Sequence, residues 1–440
     1  MKARLPLVAA LVAVLAPSNV FAQAWVGNSD YAEGIGIRTG NLELHPSVGA
    51  EAGYDSNFFR ASKDEPGGVV DVWKLRVTPS LTLSTLSQKR LGTQVGGNFK
   101  FTGGVFASFF QPIAVDSENA EVSKRRNVSM GASAMLNVFP QRKIGFDLQG
   151  TFLRTPETEG RSDDLAGEGF NRDSVRGGGG VTWRPGGGLF EWRAGYTATY
   201  HWFENSTYES LANIHHDFGT RGRWRFLPRS ALLFDTSYTL IRYTKASTTQ
   251  NDGDVARARI GFSGLVTYHL ALMGMVGWGA TFYESRPDMA ARQFDSLLGN
   301  AEARWYIQGR PDLDSTTVAT GLSSVALGYA RTVSNSYYGS FYQRDRGYVQ
   351  MSMFLLGALA GGAEFGVSRV GYPEVATTNI QQSSFSQLRL DGLLFAEYRF
   401  TDTWAANATV QYDQVNSVAV NQERLDFKRW QAYLGVRWFM

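Results

Sequence analysis

Apolar and polar residues alternate with a period of two along residues 427–440, at the end of the chain. The even-numbered positions form one apolar row of Trp430, Ala432, Leu434, Val436, Trp438 and Met440. Because an extended chain places alternate side chains on opposite faces, the pattern predicts a strand with one apolar face. A tilted strand of about 9 to 11 residues is long enough to cross a bilayer. The segment is therefore predicted to span a membrane with its even row against lipid.

The same alternation returns through most of the chain. It covers residues 91–107, 122–138, 144–152, 190–202, 214–226, 232–240, 256–266, 270–282, 297–307, 388–400 and 404–412. Strands of soluble domains usually have about 5 to 6 residues, so these runs are unusually long. The fold class predicted from them is all-β, a transmembrane antiparallel up-and-down β-barrel of the outer membrane. A β-propeller also repeats every ~40 to 45 residues, but uninterrupted alternation over residues 270–282 leaves no room for four short strands.

Turn signals predict the number of strands. Short turns are expected at residues 88–89, 140–141, 186–187, 228–229, 268–269, 309–310 and 401–402, with one more near Leu359. Nine longer polar stretches lie between them, which gives about 18 strands with both termini on the side of the short turns. An even strand number with short periplasmic turns is typical of bacterial barrels. The alternation is weakest over residues 337–370 and slips around residues 344–346. A β-bulge in this stretch would restore it, but the sequence does not place one.

The beginning of the chain resembles a secretory signal peptide. Lys2 and Arg4 precede an apolar run at 5–16, and the small residues Ala22 and Ala24 follow. We predict a signal peptide at 1–24, a short periplasmic segment at 25–41, and the barrel at 42–440. Without the signal peptide the net charge is near +1, which gives no reason to expect nucleic acid as a partner. The predicted location is the bacterial outer membrane, with lipid as the first partner.

The end of the chain is similar to a known assembly signal. Gly435, Trp438 and Met440 resemble the Gly-x-x-apolar-x-apolar ending that the barrel-assembly machinery recognises, except that Met440 stands where the signal usually has Phe. The resemblance implies that this machinery is a partner.

Two stretches near the beginning of the predicted barrel resemble the β-barrel porin 2 family. They are residues 38–47 and 53–60, followed by a ladder at 69–83 that is similar to the second strand of that family. Members are outer-membrane barrels of exopolysaccharide biosynthesis and export loci. The resemblance implies an exit channel for a secreted polysaccharide, fed by a periplasmic polysaccharide-export protein. No cofactor and no metal are expected.

If the apolar rows face lipid, a basic wall faces the lumen. The arginines assigned to it as a substrate path are Arg176, Arg184, Arg193, Arg221, Arg223, Arg225, Arg257 and Arg259, with Arg172 beside them. Guanidinium groups bind carboxylates and sugar hydroxyls, so this wall could guide an acidic polymer. The alternative is that the arginines pair with lumenal carboxylates and stiffen the wall. The rest of the lumen is expected to be neutral or mixed.

Two other functions remain open from the sequence. His201, His215 and His216 flank one outer loop beside Asp217, as in a barrel protease or metal site, although solvated rim histidines and no enzymatic activity are the expectation. A general-diffusion or small-solute uptake porin is the alternative to polysaccharide export. Such porins usually carry a constricting inner loop, and residues 55–68 or 155–169 could supply one.

Overall fold

The wall of the molecule is built from long antiparallel strands. The computed structural model describes residues 36–63, 68–85, 98–115, 122, 126–156, 171–245, 250–284, 293–307, 323–336, 341–355, 358–376, 381–417 and 426–440. The wall strands are β1 Leu42–Asp55, β2 Val72–Thr85, β3 Phe99–Ala114, β4 Asn127–Val138, β5 Ile144–Thr155, β6 Arg172–Trp183, β7 Phe190–Phe203, β8 Asn213–Leu227, β9 Ser230–Tyr243, β10 Gly253–Leu265, β11 Leu270–Tyr283, β12 Asp295–Tyr306, β13 Ser324–Asn335, β14 Phe341–Leu355, β15 Leu359–Tyr372, β16 Phe385–Arg399, β17 Trp404–Ser417 and β18 Phe427–Phe439.

The sheet closes on itself between its first and last long strands. β1 pairs with β18 from Ser47↔Phe439 to Asp55↔Gln431, and the Met440 amide donates to the Pro46 carbonyl at 3.1 Å. Of the 19 strands in this sheet, 18 form the wall, and the short strand Ile37–Thr39 folds back onto the first residues of β1. The predicted fold class and strand number are confirmed.

The two rows of β18 have different surroundings, as its alternation predicts. Leu434 on the even row is 71% exposed on the outside of the barrel, whereas Arg437 and Phe439 on the odd row are each 1% exposed inside it. An apolar outer band over a polar interior is the arrangement of outer-membrane barrels. The chain is therefore an outer-membrane β-barrel, and its wall encloses a porin-like channel. Among the described residues, no helix is long and apolar enough to cross a membrane.

The connections agree with the predicted turns where the structure describes them. Short turns join the strands at 139–143, 184–189, 228–229, 266–269 and 400–403, and residue 358 lies in the turn before β15. The predicted turns at 88–89 and 309–310 lie outside the described residues, as does the predicted signal peptide.

The slip in alternation at residues 344–346 does not come from a β-bulge. β14 pairs with β13 and β15 in continuous register through this stretch. Arg344 and Arg346 face the lumen, while Asp345 faces outward and accepts hydrogen bonds from Tyr329 and Arg331. A charged residue on the outer row near the rim, rather than an inserted residue, interrupts the apolar pattern.

Candidate functional site in the barrel lumen

The lumenal arginines of β7 to β10 lie in register across neighbouring strands. Arg193 is directly opposite Arg221, Arg221 is opposite Asp235, and Asp235 is opposite Arg259. Residues that are distant in sequence therefore form one row of charges that runs across β7, β8, β9 and β10.

Several of the predicted path residues are held in ion pairs with carboxylates. Arg193 makes a bidentate contact with Asp147 at 2.8 and 2.5 Å, and Arg259 binds Asp235 at 2.9 Å. Glu191 lies 3.2 Å from Arg184 and 3.7 Å from Arg223. These arginines stiffen the wall, which is the alternative left open by the sequence.

Glycines make room for the pair between Arg193 and Asp147. A Cβ at Gly180 would lie 2.6 Å from Nη2 of Arg193, and one at Gly195 would lie 2.8 Å from its Nη1. Both glycines face the lumen at the level next to Arg193. The guanidinium therefore lies flat along the wall instead of projecting across the lumen. Gly219 on β8 lies opposite Gly195, and a Cβ added there would meet nothing closer than 4.0 Å.

Arg176 and Arg221 differ from the paired arginines. Both are exposed to the lumen, and neither forms an ion pair with any described residue. Arg225 is half-buried nearer the turn at 228–229. Arg257 donates from Nη2 to the backbone carbonyl of Val333 at 2.8 Å, so its hydrogen bond is to the backbone of β13.

The opposite wall carries charges of both signs, which agrees with the expectation of a neutral or mixed surface. Asp55, with no exposed surface, accepts from Lys74 at 2.8 Å and from Arg429 at 2.5 Å. Arg437 and Glu397 contact each other at 2.7 Å with side chains 1% exposed. The sequence patterns missed this network because its cations and carboxylates lie on strands from the two ends of the chain. Its charges neutralise one another.

The loop after β1 begins by folding onto this wall. The amide of Asn57 donates to the carbonyl of Ala61 at 2.9 Å and to the carbonyl of Lys428 at 3.2 Å. The ring of Phe58 covers the lumenal ammonium of Lys74, whose Nζ lies 5.0 Å from the ring centroid. The described part of the predicted inner loop 55–68 therefore lies on the lumenal side, whereas 157–169 of the other candidate loop lie outside the described residues.

The histidines do not form the solvated rim group expected from sequence. His201 and His215 face each other inside the wall with ring centroids 5.5 Å apart, and His216 contacts the Tyr196 hydroxyl on the outer face at 2.8 Å. Nδ1 of His201 and Nε2 of His215 are buried. Within the described ranges, no three His, Asp or Glu side chains are arranged to hold a metal ion.

The predicted assembly signal lies on the closing strand. Trp438 and Met440 face outward, and Met440 is 37% exposed. Gly435 faces the lumen, where a Cβ would lie 2.4 Å from Cγ of Glu51 and 2.5 Å from Oδ1 of Asn407. Gly435 therefore has an architectural role, because it leaves room for the hydrogen bond between those two side chains. Recognition by the assembly machinery stays a prediction.

The chain is similar in fold to solved outer-membrane proteins. OpdK of Pseudomonas aeruginosa, solved with vanillate, has 13% identity over 90% of this chain and 99% of its own, with a TM-score of 0.46. OccK5 (OpdH) of the same organism has 9% identity over 91% of this chain and 99% of its own, with a TM-score of 0.45. The FrpB iron transporter of Neisseria meningitidis, F5-1 variant, has 8% identity over 92% of this chain and 83% of its own, with a TM-score of 0.47. No family model and no curated protein matches the sequence.

Proposed function

We propose that the barrel is a passive diffusion channel for small anionic solutes. The observation that carries this proposal is the pair of lumenal arginines, Arg176 and Arg221, which are exposed and form no ion pair with any described residue. Lumenal arginines are a common source of anion selectivity in pores.

The position of Arg221 adds to the local positive charge. It stands directly across from Arg193, and like charges at opposite positions of neighbouring strands repel. Three carboxylates lie near Arg221, and each is shared with another arginine: Asp147 binds Arg193, Asp235 binds Arg259, and Glu191 lies 3.2 Å from Arg184. These carboxylates do not fully offset the repulsion between Arg193 and Arg221. An anion bound in the lumen beside Arg221 would reduce that repulsion.

The size of the solute follows from the space inside the wall. A barrel of about 18 strands encloses an aqueous channel. The residues after β1 fold onto the wall formed by β1, β2 and β18, so they narrow the lumen from that side. A narrowed passage along a basic wall suits small anions better than a bulky neutral solute.

Ion selectivity in planar bilayers tests the proposal. Under a KCl gradient, the reversal potential of the native channel should show a preference for chloride, and the double variant Arg176→Ser with Arg221→Ser should shift it toward cations. Arg242→Ser is the matched control, because Arg242 faces outward and pairs with Asp254 at 2.9 Å. A native channel without preference for chloride, or a double variant with the reversal potential of the control, would contradict the proposal.

Export of an acidic polysaccharide is the second candidate. Arg221, Arg223 and Arg225 occupy successive lumenal positions along β8, and such a track could guide a polyanion delivered by a periplasmic export protein. Deletion of the gene separates the two functions. Export requires that surface polysaccharide is lost, whereas diffusion requires that it stays while uptake of small anions falls.

A further inference from the structure

The wall splits between β12 and β13 at its outer end. These strands pair only from Gly299↔Arg331 to Tyr306↔Ser324. Beyond that level, β12 pairs with β11 alone and β13 pairs with β14 alone. The outer end of the β13–β14 hairpin is thus free of its neighbour on one side.

That hairpin end lies on the lumenal face of the neighbouring strands. Val333 and Phe341 belong by alternation to the outward row that contains Tyr329 and Val349, yet they are only 2% and 8% exposed. Both pack in one apolar cluster with the lumenal side chains of Tyr283 and Leu298, and with Phe294. Outward-row residues can reach lumenal ones only if the hairpin bends inward and overlaps β11 and β12.

Two hydrogen bonds join the inward-bent hairpin end to the lumenal side of β10 and β9. Arg257 on β10 donates to the carbonyl of Val333 at 2.8 Å, and the Asn335 amide donates to the hydroxyl of Tyr243 on β9 at 2.8 Å. β10 and β9 are three and four strands from β13, or about 14 and 19 Å along a wall with ~4.8 Å between strands. The Tyr243 hydroxyl in turn donates to Gln250 at 3.0 Å, which fixes its orientation as an acceptor.

We propose that this hairpin end, residues 333–335 with Phe341, sets the size limit of the channel, and that Arg257 is the positioning residue that holds it in the lumen. This inference rests on the proposed diffusion function. Arg257 then holds the constriction in place through its hydrogen bond to the Val333 carbonyl and does not itself bind the solute.

Neutral polymers of graded radius test the inference in planar bilayers, because exclusion of a neutral solute reports width and is insensitive to lumenal charge. Arg257→Met should shift the cut-off to larger polymers. Arg259→Met is the matched control, since it removes one lumenal cation from the same strand two residues away and does not touch the hairpin. Asn335→Ala, at the other attachment, should shift the cut-off in the same direction as Arg257→Met, and it decides the question alone if the arginine variants do not form barrels.

The outcomes separate this inference from the proposed function. A larger cut-off in Arg257→Met and Asn335→Ala, with Arg259→Met unchanged, supports it. A native cut-off in both hairpin variants, or an equal shift in Arg259→Met, overturns it while the diffusion function stands. A native protein that conducts no ions overturns the diffusion function and this inference together.

Discussion

Substitution of Asp55 by Asn should destabilise the barrel at its closing seam. Asp55 is fully buried and accepts from Lys74 on β2 at 2.8 Å and from Arg429 on β18 at 2.5 Å. It therefore joins the last strand of the wall to the first two. Asn keeps the shape of the side chain but removes the charge, so two desolvated cations remain side by side.

The size of the effect follows from this burial. Removing one partner of a buried ion pair typically costs about 3–5 kcal/mol, because the remaining charge is uncompensated. Exposed pairs contribute about 0–1 kcal/mol. Glu209→Gln is the matched control, since Glu209 pairs with Lys245 and the two side chains are 50% and 53% exposed.

Urea unfolding in detergent micelles, followed by tryptophan fluorescence, measures both variants. We expect the free energy of unfolding to fall by about 3–5 kcal/mol in Asp55→Asn and by less than about 1 kcal/mol in Glu209→Gln. A fall in Asp55→Asn no larger than that of the control would refute the reasoning that buried ion pairs hold the seam.

Two further substitutions test the wall. Leu434→Arg puts a charge on the lipid-facing row and should cost about 2–4 kcal/mol in the unfolding free energy in lipid vesicles. Ser133→Arg is the matched control and should cost much less, because Ser133 on β4 is exposed to the lumen and pairs with Gly104. Equal costs would place the two residues in the same surroundings. Gly180→Ala, whose Cβ would lie 2.6 Å from Arg193 Nη2, should displace that guanidinium and lower the unfolding free energy by about 1–3 kcal/mol. Gly219→Ala, with nothing closer than 4.0 Å, should be near neutral, and a matching loss there would show that the lost pair is not the cause.

The period-two pattern was enough to predict the wall. It gave the outward row of β18 and the lumenal placement of the arginines on β7 and β8, because both depend only on the alternation of side chains in an extended chain. The number of strands followed from the turn signals between the alternating segments. Where a polar residue belongs to the outward row, as Asp345 does, the pattern alone could not distinguish a rim position from a bulge.

The ionic partners of the arginines could not be predicted in the same way. Arg193 binds Asp147 two strands away, 46 residues earlier in the sequence. That contact depends on the register of β5 to β7 and on the space above Gly180. The alternation of apolar and polar residues predicts neither of them. For the same reason Arg176 and Arg221 could not be distinguished beforehand from their paired neighbours.

The inward hairpin was hidden for a different reason. Val333 and Phe341 fit the outward, lipid-facing row of their strands, and only the missing pairs between β12 and β13 show that they pack inside. An apolar side chain is compatible with either environment, so the sequence carries no signal that separates them.

The current through a single Arg221→Cys channel tests most directly whether solutes pass along the basic wall. The chain has no cysteine, so a negatively charged, water-soluble thiol reagent can react at this position alone. Because Arg221 is exposed to the lumen beside Arg193, the account predicts a stepwise fall in current and weaker chloride preference on modification. Complete modification, verified by mass, with current and chloride preference unchanged would contradict it.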